Sequence, residues 1–252
     1  MLERENLDTG PGAPLPPLWH WFYFLATAAQ SRLGTDGHPE RGGFMPPIDL
    51  PRRMFAGSKM EFHQPLRLGQ PAERHAEIRD VKLKSGRSGQ LAFVTVDYRF
   101  IQTGKLCIEE SQDIVYREPG APIMAPEQIE PTDPGPKIWH RTVTPDPRLL
   151  FRFSALTFNA HRIHYDRAYA LEQEGYPGLI VHGPLNAMLL ADLVHRNQPR
   201  AVNQFKFRGI APLFDLAPFR LLGQNTEDQV ELEVRGPDDR VVLTATAVLS
   251  EG

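Results

Sequence analysis

Four side chains that can bond, take or give a proton crowd into eight residues of this chain: Asn159, His161, His164 and Asp166, in the run NAHRIHYD. A further histidine, His182, precedes Gly183, and Pro184 then opens an apolar run that reads as a buried helix. Imidazole titrates near neutral pH, so it can accept and return a proton under working conditions. A backbone N–H at Gly183 would sit at the positive end of the helix dipole, where a developing enolate oxygen can be held. Together these are the parts of a proton-transfer site for a carbonyl substrate. A lone histidine is nevertheless more often a half-buried hydrogen-bonding group than a catalyst. His182-Gly183-Pro184 reads equally well as an ordinary helix cap.

Two other chemistries fit less well. His161 and His164, at i and i+3, could face one ion from a helix, with Asp166 or His182 completing the set. HxxH is a weak signal and no matching Cys or Glu helix motif accompanies it, so no metal and no cofactor is expected. Ser154 would be the nucleophile of a Ser–His–Asp triad, but no GxSxG elbow occurs in the chain.

The elements that must position these residues fall into two halves. In the first, Pro16-Pro17 opens an aromatic helical pattern that runs to about Arg32 and stops at Gly34. Residues 35–53 are too rich in Gly and Pro for a regular element and read as a long ordered loop. In 91–100, Val94, Val96, Tyr98 and Phe100 alternate with Thr95, Asp97 and Arg99, the period of a strand. A second strand is expected over 105–117, with Thr103-Gly104 as the hairpin turn. Residues 118–147 hold eight prolines and read as a stiffened linker.

The second half repeats the order helix, then strands. Leu185–Arg196 is the helix, with Pro184 at its first position, where a missing N–H costs nothing. Strands are expected at 229–235 and 241–249, joined by a turn at Gly236-Pro237-Asp238-Asp239, with a shorter one within 205–214. The domain reading is therefore a first unit over 1–117, a linker over 118–147 and a second unit over 148–252 that carries the cluster. A sheet wrapped around a helix, present twice, is the simplest architecture of this order.

Composition bounds the function. A net charge of −3 without a basic run speaks against nucleic acid as partner. The single cysteine, Cys107, excludes an internal disulfide framework and suits a reducing compartment. The apolar run 19–29 is too short to span a bilayer, and the residues before it lack the basic stretch of a secretory signal. A cytoplasmic protein without membrane or nucleic-acid partners is expected; a homo-oligomer stays open.

NAHRIHYD is similar, position by position, to the hydratase motif D-x-N-P-(I/L)-H-x-D of MaoC-like (R)-specific enoyl-CoA hydratases, and the following His-Gly resembles their oxyanion segment. LPPLWHWFYF, DGHPERGGFMPPIDLPRRMFAG and EESQDIVYRE extend the resemblance to the branch of mitochondrial 3-hydroxyacyl-thioester dehydratase type 2 and bacterial mesaconyl-CoA hydratases. The resemblance implies an α+β double hotdog and reversible hydration of an enoyl-CoA thioester, with acyl-CoA as the partner. It makes His164 the acid–base group, Gly183 the oxyanion donor and Asp166 the trailing acid. It also shows a departure: the usual catalytic Asp is Asn159, which cannot accept a proton at neutral pH, and His161 and Arg162 replace the N-P pair. Asn159 is then expected to orient water, and Asp166 or His161 to fix the His164 tautomer. His161, His182, Arg162 and Arg208 are expected to bind substrate, Arg208 at the CoA phosphates; Lys206 could join it there but reads better as a solvated strand-edge charge. The aromatics Trp19, Trp21, Phe22 and Phe24 are expected to shape the acyl pocket or, as readily for any one of them, to pack in the core. The alternatives are a thioesterase, for which only Asp166 offers a carboxylate within the cluster, and a non-catalytic acyl-thioester-binding module.

Overall fold

Alternating apolar residues dictate the strands. In β3 (Gly89–Gln102), Val94, Val96 and Phe100 are buried, and in β8 (Gln229–Arg235) so are Val230, Leu232 and Val234. The computed structural model describes residues 2, 4, 7–86 and 89–251. The remaining strands are β1 (Arg52–Phe62), β2 (Ala72–Gly86), β4 (Lys105–Arg117), β5 (Trp139–Val143), β6 (Val202–Gly209), β7 (Phe219–Thr226) and β9 (Val241–Leu249). All join one antiparallel sheet in the order β2-β3-β4-β1-β6-β9-β8-β7-β5.

The α+β double hotdog expected from the sequence is thus present, and its two sheets are continuous. β1 of the first half pairs with β6 of the second, from Gly57 opposite Arg208 to Glu61 opposite Gln204. The strands come so close at the seam that a Cβ on Gly57 would lie 2.4 Å from the Phe207 carbonyl oxygen. Just before this contact the β1–β4 register shifts between Phe55 and Gly57, a bulge that bends the strand at the seam.

The second half wraps its sheet around α3 (Gly183–Asn197). Leu185, Leu189, Leu190, Leu193 and Val194 are buried there among residues of β7, β8 and β9. Asp192, fully buried on the same helix, is neutralised by ion pairs to Arg4, Arg141 and Arg196. Before α3 come α1 (Pro147–Leu156), whose Asp146 side chain caps the Leu149 amide, and the short α2 (Arg167–Glu172).

Two expectations are corrected. The aromatic segment before Gly34 is not an α-helix but two 3₁₀ turns, Trp19–Phe22 and Gln30–Arg32. Leu18 at its entry takes a left-handed φ of 69° and no side chain caps the first turn, so an α-helix is not started there. A three-residue period instead puts Trp19 and Phe22 together on the main core. The stretch 118–147 is also not all linker, because Trp139–Val143 is the sheet's edge strand, paired with β7. Among the described residues no helix is long and apolar enough to cross a membrane.

Candidate active site

His164 closes a 3₁₀ turn, Arg162–His164, and is buried. Its Nδ1 lies 2.8 Å from the carbonyl oxygen of Ile180. A carbonyl only accepts, so Nδ1 carries the hydrogen and Nε2 keeps its lone pair. The Ile180 carbonyl is itself fixed. Ile180 N donates to Ile163 O, Val181 N to Leu213 O and Asp215 N to Leu179 O, while the Asp215 carboxylate accepts from Leu179 N. Burial pushes the His164 imidazole down to about 4, against the opposing pull of the Ile180 bond, so the ring is neutral at pH 7. The His182 ring stacks on it with centroids 3.6 Å apart and planes 17° apart. His182 is anchored through Nε2 to the Ser154 hydroxyl at 2.9 Å, and burial holds its pKa well below the usual imidazole range.

The other expected members divide. His161 stands edge-on to His164, with centroids 5.5 Å apart, and burial keeps it unprotonated. Neither it nor Asp166 holds the His164 tautomer, which is the work of Ile180. Asp166 instead caps α2 at the Tyr169 amide and pairs with Arg162 at 2.8 Å. Arg162 stacks over Tyr169 and donates to the Thr35 carbonyl, and it does not line the cavity. Arg208 is exposed on β6, on the opposite side of the strand from the buried Phe207, and does not line the cavity. Asn159 does line it, and its Oδ1 accepts from the His161 amide in a short turn. The aromatics Trp19, Trp21, Phe22 and Phe24 pack into the hydrophobic cores and not into the cavity.

Gly183 is the first residue of α3, so its N–H has no acceptor within the helix, and it lines the same cavity as His164. Nothing crowds it: a Cβ there would meet only Phe55 O, at 3.8 Å. The glycine is therefore not demanded by packing, which leaves its open approach as its distinguishing property.

The cavity, of about 1180 Å³, is also lined by the first half, Asp36, Gly37, His38 and Arg53 among its residues. Asp36 Oδ2 accepts from His38 Nδ1 at 3.0 Å, and the His38 ring lies 4.0 Å from that of His161. Burial lowers the His38 pKa, with Asp36 opposing it. The loop is docked by its backbone: Arg162 N donates to Asp36 O, and a Cβ on Gly37 (φ 90°) would strike Ala160 O at 1.8 Å. Sequence reading placed this Asp-Gly-His in a loop and assigned it no role; the Gly, tolerant of φ above zero between two polar residues, was the available signal. Ligand atoms of Asp36, His38 and His161 lie within 4.8 Å of one another, as do those of the surface trio Glu61, His63 and Glu109, so this spacing by itself does not mark a metal centre.

Comparison with known proteins gives the family and the fold. The model of the hydroxyacyl-thioester dehydratase type 2 family matches residues 18–215. The mesaconyl-C(4)-CoA hydratase of Chloroflexus aurantiacus is 63% identical over 237 residues, which cover 94% of this chain and 84% of the relative. A solved MaoC-like dehydratase superposes with a TM-score of 0.66 at 16% identity, covering 82% of this chain and 78% of that one. A Mycobacterium tuberculosis protein described as a double hotdog gives 0.59 at 15% identity, covering 99% and 88%. These two likenesses show the fold.

Proposed function

This chain belongs to the hydroxyacyl-thioester dehydratase type 2 family, and from that premise we propose how its site works and on what. It is a hydro-lyase that adds water to, and removes it from, the α,β double bond of an acyl thioester. We assign it methyl-branched dicarboxylic enoyl-CoA of the mesaconyl type, which the 63% identity to a mesaconyl-C(4)-CoA hydratase supports. That relative is bacterial, which favours the cytoplasm.

In this reading the thioester carbonyl oxygen accepts a hydrogen bond from the Gly183 N–H. A water molecule gives a proton to His164 Nε2 as its oxygen bonds to the β-carbon, and the π electrons move onto the thioester as an enolate. The enolate collapses, the α-carbon takes the proton back from His164, and the ring returns to its starting state. One base serving both carbons delivers H and OH to one face. The observation that carries the reading is the Ile180–His164 bond, which leaves Nε2 as an acceptor on a cavity-lining ring.

Asn159 cannot replace the missing acid, since an amide takes up no proton near neutral pH, and its Oδ1 already accepts from the His161 amide. We assign the second acceptor for the water to His38, whose Nδ1–H is held by Asp36 as a carboxylate holds a catalytic imidazole. The division of labour follows: residues 1–117 supply a wall and this pair, 148–252 the base and the oxyanion donor, and the segment between them ties the two together. The test is to supply mesaconyl-C(4)-CoA and crotonyl-CoA and follow enoyl absorbance beside free thiol. Loss of enoyl absorbance without thiol is expected; thiol release with the enoyl group intact would make the protein a thioesterase.

A further inference from the structure

Three arginines line the cavity, and two are spoken for. Arg52 pairs with Glu174 at 2.8 Å and lies over the Tyr176 ring, and Arg117 bonds the Tyr176 hydroxyl. Arg53 is half-buried at the start of β1, and its side chain makes no hydrogen bond, ion pair or ring contact among the described residues. Its charge nevertheless reaches the reacting end of the cavity: after burial, it is among the influences that keep His38 and His161 unprotonated. Around it the cavity wall is largely apolar, including Phe55, Leu91 and Ile114. A cation half withdrawn from water into such a wall, with no protein anion, is costly to maintain unless a ligand supplies the anion.

We propose that Arg53 receives the free carboxylate of a dicarboxylic acyl thioester and so selects acyl groups that end in a carboxylate. The inference rests on the enoyl-thioester reading above and adds to it the residue that reads the far end of the acyl chain. A guanidinium offers two parallel N–H groups to the two carboxylate oxygens, a match that fixes direction as well as charge. An acyl group ending in a methyl leaves the same cation desolvated and unpaired, so discrimination comes from the penalty on the wrong substrate as much as from the bond to the right one.

The experiment compares binding of two unreactive four-carbon thioesters, succinyl-CoA and butyryl-CoA, by calorimetry to the full-length protein, to Arg53→Ala and to Arg53→Lys, with folding checked by circular dichroism. The native protein should bind succinyl-CoA on the order of 100-fold more tightly than butyryl-CoA. Arg53→Ala should lose that preference while keeping its butyryl-CoA affinity, and Arg53→Lys, a point charge without the fork, should keep part of it. No preference in the native protein, no binding of either thioester, a preference that survives Arg53→Ala, or an equal loss for both thioesters would each overturn the proposal. If Arg53→Ala does not fold, the native ratio and Arg53→Lys decide. Because neither thioester carries a double bond, the outcome is independent of turnover: a protein that discriminates but hydrates neither mesaconyl-C(4)-CoA nor crotonyl-CoA would sink the hydratase reading alone.

Discussion

A carbonyl oxygen accepts but never donates, so the 2.8 Å contact at Ile180 decides which nitrogen of His164 can act as a base. The depressed pKa of that ring, about 4 because of burial, sets the pH range in which it can do so. Hydration needs the ring neutral, so kcat/KM should be flat through neutral pH and fall as pH drops through about 4. An acid limb centred near the ordinary imidazole value would mean that another group is the base. His164→Ala should lower kcat by about 10²- to 10⁴-fold and leave saturated acyl-CoA binding nearly unchanged. His38→Ala, which removes only the second acceptor for water, should cost less, about 10-fold, and full activity in that variant would remove His38 from the mechanism. At this scale the sequence was legible where the reacting residues are neighbours in the chain. His164, His182 and Gly183 lie in one stretch and all line the cavity. Asp36 and His38 were missed because they reach His161 only through the docking of a loop from the other half. Asp166 was over-read for the reverse reason: adjacency suggested contact with His164, and the α2 amide claims its carboxylate instead.

The decisive element is the start of α3, where proline in place of Gly183 removes the N–H. His182 has φ −60° and ψ 132°, the extended conformation required of a residue before proline, and the first helical position tolerates proline. Gly183→Pro should therefore fold with an unchanged circular dichroism spectrum while losing the N–H. If that N–H holds the oxyanion, kcat should fall by about 10²- to 10³-fold, the loss found when one such donor is removed. A folded variant with native kcat would move the oxyanion site elsewhere. The sequence revealed elements in proportion to the regularity of their burial. β8 has one covered face, and β4 and β9 are buried on both; all three were read at the residues they occupy. β2 has a partner on one side only and carries charge along both faces, so no period of two appears in it. In β1 the bulge between Phe55 and Gly57 shifts the alternation partway along. The 3₁₀ turns near Trp19 kept an aromatic spacing close enough to helical to be taken for an α-helix.

For the molecule as a whole, the cavity between the halves concentrates a cost of protonation. His38, His161, His164 and His182 all have pKa values lowered by burial, each starting from an ordinary value of 6.5. In the unfolded chain these rings take up protons as pH falls through 6.5, and in the folded protein they refuse them, His164 down to about 4. The unfolded state thus binds more protons across that window, and stability must decline as pH falls from 6.5 towards 4. A ring that stays neutral in the folded protein while its unfolded counterpart is protonated contributes up to about 1.4 kcal/mol per pH unit, a noticeable share of the 5–15 kcal/mol that holds a typical domain. The carboxylates act elsewhere on the scale. Burial would raise the pKa of Glu110, but hydrogen bonds from His20, Gln112 and Ser58 outweigh it and hold it below 4.5, so its contribution is lost only as pH falls below that value. Calorimetry should therefore show Tm falling steeply between pH 6.5 and 5, before carboxylates titrate, and His161→Phe, which removes one of the four rings, should flatten that fall. A Tm that holds level from pH 7 to 5 would mean that the folded cavity takes up protons after all, and with it the neutral state of the four-ring array, on which a base at His164 depends, would be lost.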